Sequence, residues 1–229
     1  TYVNYAVHLD NVGGQGISAD LPYTLTEALA RVFGPEHLTM WTAGTCGDLN
    51  HVNVHWPRPQ KGHENAARMG IILAGEVLRR WPELEPVTDG PLRVASAMVS
   101  LPLAPITEAD VADARFVART GNDRGRENFM KLVQAYKVLD VYARQGESLK
   151  VEVQTITLGN DLAWVSLPGE IFVQLGLDLK LDAPFEQTMI AELANGSIGY
   201  IPNRRPYPQG NYEVVSARCA AGSGERLVA

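Results

Sequence analysis

Apolar and polar positions along the chain follow two different periods, and the switches between them divide it into strands and helices. The run Tyr2-Val3-Asn4-Tyr5-Ala6-Val7-His8 has the short apolar character of a strand, and a glycine-rich loop follows it. The pattern then predicts a helix over Thr24–Phe33, a strand over Leu38–Ala43, a helix over residues 62–81 and a strand over Leu92–Leu101. Two helical stretches come next. In the clearer one, Arg126–Arg144, Phe129, Leu132, Val133, Tyr136 and Leu139 recur at helical spacing, which predicts a stripe facing the core. Val151–Leu158 and Leu162–Leu167 flank Gly159-Asn160-Asp161, a turn sequence that tolerates positive φ, and so predict a hairpin. Its second arm delivers Pro168-Gly169-Glu170. A helix is expected from there to Leu181, then a strand over Met189–Leu193, a loop over residues 195–212 and a final helix with Ser223 as its N-cap. No stretch has the length or polarity of a linker. The reading is one α/β unit, a layered mixed β-sheet with flanking helices.

Composition narrows the function. The 229 residues are 45% hydrophobic and 20% charged, which excludes a disordered tail, a collagen repeat and a coiled coil. Net charge is −6, without a basic stripe, and this argues against a nucleic-acid partner. No run of apolar residues is long enough for a transmembrane segment. Cys46 and Cys219 are too few for a disulfide framework.

Several residues are candidates for chemistry. Gly14-Gln15-Gly16-Ile17-Ser18-Ala19 has the spacing of a dinucleotide fingerprint, but Asp20-Leu21-Pro22 interrupts the helix such a motif must open, so a surface loop is expected. His51 and His55 are spaced to share a face, as a metal pair would, though exposed loop histidines fit as well; His37 and His63 read as solvated. His8 closes an apolar strand beside a flexible loop, a place where sites are built, and the residues alone leave open a satisfied core histidine. Glu170, at the end of another apolar strand, is open between a helix-dipole partner and a metal ligand. Cys46, in a tight turn five residues before His51, is open between a nucleophile and a small buried hydrophobe.

Four blocks taken together resemble the catalytic domain of the neutral/alkaline, non-lysosomal ceramidases, a family of zinc-dependent amidases. They are Asn4-Tyr5-Ala6-Val7-His8 with Ile17-Ser18-Ala19-Asp20; Gly44-Thr45-Cys46-Gly47-Asp48-Leu49-Asn50; Val165-Ser166-Leu167-Pro168-Gly169-Glu170; and Gly199-Tyr200 with Tyr212-Glu213. The resemblance implies zinc as cofactor, with His8, Glu170 and Tyr200 as ligands and Tyr212 hydrogen-bonding the reacting carbonyl oxygen. It also implies that Asp20, Asp48 and Cys46 orient ligands or hold loops. The expected substrate is a linear amide, an N-acyl sphingoid base or related lipid amide, met with peripheral membrane contact at most, and a secreted or periplasmic location is favoured.

Two features depart from the family. Its His-x-His motif and arginine, which supply the other zinc ligand, the general base and a substrate contact, have no counterpart here. The resemblance therefore implies that residues 1–229 are the later part of a larger zinc-hydrolase domain, truncated at the N-terminus and possibly at the C-terminus, and inactive alone. The loop after the ligand histidine reads Leu9-Asp10-Asn11-Val12-Gly13-Gly14, and Asn50-His51-Val52-Asn53 replaces a Ser-Pro-Asn segment. Both changes shift the expected substrate away from long-chain ceramide. The rival readings are a binding or scaffold domain of the same fold and a hydrolase built on Cys46.

Overall fold

The computed structural model describes residues 1–87, 90–122, 124–144 and 146–229, with Arg126 described by its backbone alone. The chain runs β1 (Tyr2–Tyr5), α1 (Leu21–Phe33), β2 (Met40–Ala43), α2 (His63–Arg80), β3 (Leu92–Leu101), α3 (Glu108–Thr120) and α4 (Arg126–Ala143). It continues through β4 (Leu149–Leu158), β5 (Leu162–Ser166), β6 (Glu170–Ile171), α5 (Val173–Asp182), β7 (Gln187–Ala191), β8 (Tyr200–Ile201), α6 (Tyr212–Ser216) and α7 (Ser223–Val228). The expected α/β class is observed, with the strands in three groups: β3-β4-β5-β7, the parallel pair β1-β2 and the parallel pair β6-β8.

The four-stranded sheet is mixed, because β3-β4-β5 run antiparallel and β5-β7 run parallel. Asn4 joins β1-β2 to it: its Nδ2 donates to the Ile190 carbonyl of β7 at 2.8 Å and is held by a second bond to Thr42 Oγ1 of β2 at 2.9 Å. The main core lies between the sheet and helices α5 and α7, where Leu101, Val151, Val165, Leu167, Leu175, Ile190 and Leu227 are buried. Separate helical cores form between α1 and α2 around Leu25 and Leu29, and between α3 and α4. Along β3, Leu92, Val94 and Met98 stay exposed. Among the described residues, no helix is long and apolar enough to cross a membrane.

Several boundaries differ from the sequence expectation, each for a local reason. Helix α1 begins at Leu21 rather than Thr24, because Asp20 caps it by accepting from the Leu21 N–H at 2.7 Å. Pro22 does not interrupt the helix; it sits in the first turn, where no amide donor is required. Strand β1 stops at Tyr5, so His8 lies three residues beyond the strand it was expected to close. Glu170 opens β6 and α5 starts only at Val173, so its carboxylate is not in the first helical turn. Loop 195–212 contains β8 and a short 3₁₀ turn at Tyr207–Gln209. Gly222, not Ser223, precedes α7, and the Ser223 side chain makes no cap.

The expected stripe on α4 is only partly core. Phe129 and Tyr136 are 47% and 59% exposed, whereas the buried positions are Ala135, Val138 and Val141. The small residues let α3 approach closely, and this rotates the larger side chains outward.

Candidate active site

Three loops meet at the end of the sheet. The turn Gly44-Thr45-Cys46-Gly47-Asp48 leaves β2 and presses against β6, where the Gly47 N–H donates to the Ile171 carbonyl at 2.8 Å. A side chain at Gly47 would meet the Glu170 carbonyl oxygen at 2.5 Å, so only glycine fits. A Cβ at Gly169 would likewise meet the Gly199 carbonyl at 2.7 Å. These close approaches let β6 and β8 pair in the register Glu170↔Tyr200, which makes the two residues neighbours.

His8 completes the group. Its Nδ1 donates to the Leu49 carbonyl at 2.9 Å, which turns Nε2 toward Glu170 Oε2 at 3.2 Å. The Tyr200 ring stacks beside the imidazole with centroids 6.4 Å apart, and Tyr212 meets Tyr200 edge-on at 5.6 Å. Residues far apart in sequence, His8, Glu170, Tyr200 and Tyr212, therefore come together. The Glu170 hydrogen bond raises His8 to about 9 against the smaller opposing effect of burial, so the ring is cationic at neutral pH. Burial first, and the Glu170 carboxylate second, push the Tyr200 phenol far above its ordinary value and keep it protonated.

Asp20 and Asp48 hold loops. Asp20 accepts from the Asn11 N–H and side-chain amide, each at 2.8 Å, and from the Val12 N–H at 3.0 Å, tying down the segment after His8. Asp48 Oδ1 accepts from the Val173 N–H at 2.7 Å and so caps α5 from a distance. Cys46 is 2% exposed, and its Sγ donates to Glu192 Oε1 at 2.8 Å rather than to a histidine. Burial, then Glu192, push its thiol up, which is the opposite of what a nucleophile needs.

Glu192 was not anticipated. Only 6% exposed, it accepts from the Cys46 N–H at 3.1 Å and the Ile171 N–H at 2.9 Å, clamping the turn after β2 to β6. Burial raises its carboxyl above the ordinary range. Glu192 follows an apolar strand as Glu170 does, but that pattern alone does not mark it as buried.

The remaining candidates lie elsewhere. His51 is buried, 9% exposed, with Nε2 donating to the Gln60 carbonyl at 2.8 Å, whereas His55 is exposed. His37 is half-buried, bonded to Thr1 Oγ1 at 2.8 Å and packed on Phe33. His63 is exposed, Cys219 is a buried free thiol, and the Gly13–Gly16 segment is a surface loop. Among the described residues, no three His, Cys, Asp or Glu side chains form a metal-binding cluster.

The site opens into a cleft of about 550 Å³ lined by Glu170, Tyr200 and Tyr212 and by Val133, Tyr136, Lys137 and Asp140 of α4. The sequence reading assigned none of these α4 residues to the site.

No protein-family model and no curated protein sequence matches the chain. Solved structures do. The neutral ceramidase from Pseudomonas aeruginosa superposes with a TM-score of 0.69 at 14% identity, over 99% of this chain and 42% of that one. A ceramidase complexed with C2 gives a TM-score of 0.69 at 12% identity, over 99% of this chain and 43% of that one. The chain thus spans well under half the length of either, and its fold is that of part of a neutral ceramidase.

Proposed function

We propose that this chain forms part of a zinc-dependent hydrolase that cleaves a linear amide, an N-acyl sphingoid base or a related lipid amide, to a carboxylate and an amine. The observation that carries the reading is the apposition of His8 Nε2 and Glu170 Oε2 at 3.2 Å, with Nδ1 committed to Leu49. An imidazole nitrogen and a carboxylate oxygen fit zinc, and the carbonyl behind the ring fixes its tautomer as the outer partners of ligand histidines do. Tyr200 is the third, weaker donor. When bound, the metal lowers the pKa of its water to about 7 and polarises a carbonyl oxygen.

The chain's own side chains do the rest. His8 must release its Nε2 proton before that nitrogen can act as a ligand. Tyr200, kept protonated, lies against His8 and Glu170 and limits solvent around them. Tyr212, on the cleft wall, donates a hydrogen bond to the carbonyl oxygen as negative charge develops there. Such donors lower the barrier by about 3 kcal/mol. Two strong donors and a phenol are a thin shell, and the reading calls for a further nitrogen ligand and a general base beyond these residues.

The test uses a natural chain extended upstream of Thr1. Bound zinc, amide hydrolysis lost on chelation and its recovery on adding zinc are expected. Absence of both metal and turnover would leave a scaffold domain. Inactivation by iodoacetamide with indifference to chelators would place the chemistry on Cys46 instead.

A further inference from the structure

Beside Glu170 the cleft is lined by two cations, Lys137 and Arg218, and one further carboxylate, Asp140. Lys137 lines the cleft, is half-buried, and among the described residues has no hydrogen-bond partner. Arg218 lines the same wall, close enough for the two charges to repel, and its Nε donates to Asp140 Oδ2 at 2.7 Å. Asp140 is also shared with Arg144, whose Nε donates to Oδ1 at 3.1 Å, so one carboxylate serves two guanidinium groups. The anion that Lys137 does sense, Asp110, accepts from the Thr107 N–H and hydroxyl in the capping box of α3 and makes no hydrogen bond to the ammonium. Glu170 is matched by His8. Lys137 is thus a partly buried ammonium without a hydrogen-bonded anion among the described residues, lining the space a substrate would fill. Burial holds its pKa below the ordinary value.

We propose that this cleft selects amides carrying an anionic group, a carboxylate or phosphate, with Lys137 as the residue that recognises the charge. The inference rests on the hydrolase reading, since it specifies the substrate class of that same site. Tyr136 and Val133, one turn or less from Lys137 on α4, supply the apolar surface beside it. An N-acyl amide ending in an anion matches both features.

The experiment is equilibrium binding by titration calorimetry to the full-length natural chain, which reports whether or not the amide is cleaved. The probes are N-lauroylglycine, N-lauroylethanolamine and its phosphate ester. The carboxylate or the phosphate probe should bind about tenfold or more tightly than the neutral one, and the tighter of the two identifies the natural anion. The preference should vanish in Lys137→Met, persist in Lys137→Arg and shrink with added salt in the unsubstituted chain. Equal affinity for charged and neutral probes, or a preference that Lys137→Met and salt leave intact, overturns the proposal. Should Lys137→Met fail to fold, the salt dependence of the native chain decides. Selective binding without hydrolysis would sink the hydrolase reading and keep the selectivity. Hydrolysis without selectivity would do the reverse.

Discussion

On one wall of the cleft, Glu170 and Tyr200 belong to a parallel backbone pair, His8 is held by the Leu49 carbonyl, and a buried glutamate clamps the turn behind them. On the other, Tyr136, Lys137 and Asp140 project from one exposed helix and Tyr212 from a five-residue helix, with Arg218 held by Asp140. The first wall is locked by main-chain bonds and close-packed glycines. The second is set by side chains on helices that can be redecorated without disturbing the sheet. This difference separates chemistry from selection: a reaction demands geometry, which backbone fixes, whereas preference for a substrate demands only suitable groups within reach.

The comparison breaks most plainly at the locked wall. Replacing Glu170 or His8 by alanine in the extended chain should lower zinc affinity by about 100-fold or more and abolish amide hydrolysis, since each removes a strong donor. Metal analysis and turnover check this. Unchanged zinc content in Glu170→Ala would mean that the apposition with His8 is only an ion pair. Across the cleft, Tyr212→Phe should leave zinc content unchanged and lower kcat by about 100-fold with little change in KM, as expected for a donor used only as charge develops. A rise in KM alone would make Tyr212 a substrate-holding residue.

On their residues alone, only His8 and Glu170 of the locked wall stood out as candidates, because each follows an apolar strand and side chains that do chemistry collect at such ends. Tyr200 and every ligand role came from the resemblance. Glu192 was overlooked because nothing about a carboxylate after Ile190-Ala191 distinguishes burial from solvation until its three hydrogen-bond partners are in place. The helical wall was misread for a different reason. Periodicity says that one face of α4 is apolar, but not which neighbour it meets. Packing of α3 on Ala135 and Val138 turned Tyr136 toward the cleft instead of the core.

Glu192 offers a sharper cut between scaffold and chemistry. Glu192→Leu strands two buried donors, the N–H groups of Cys46 and Ile171. Leaving a buried donor unsatisfied costs about 1–3 kcal/mol. A clear fall in the denaturation midpoint is expected, with a parallel loss of zinc affinity as β6 shifts. Glu192→Gln, which keeps one acceptor oxygen, should lose less of both. If Glu192→Leu unfolds no more easily than the unsubstituted chain, the clamp is dispensable.

The two walls should also respond to pH in opposite directions, which is the most discriminating of these effects. In metal-free chain, His8 is raised from an ordinary 6.5 to about 9, first by the Glu170 hydrogen bond. A raised cation stabilises the fold fully below its unfolded value and loses that contribution as pH rises through the folded one. The His8–Glu170 pair should therefore support the fold below pH 6.5 and cease to do so as pH passes about 9, with a contribution of about 3 kcal/mol at most. On the helical wall Asp140 is lowered, first by its bond to Arg218. Its support is present above the ordinary carboxylate value and lost as pH falls, and because the pair is about a third exposed its contribution is roughly 0.5 kcal/mol. Denaturation midpoints of His8→Gln and Asp140→Asn against pH would separate the two. The first variant should differ most from the unsubstituted chain at about pH 6.5 and below and converge with it as pH passes about 9, and the second should converge at low pH. Added zinc should remove the titration of the His8 ring near 9, because the metal takes the nitrogen that held the proton. A ring that titrates near 6.5 without metal would show that Glu170 does not face it in solution.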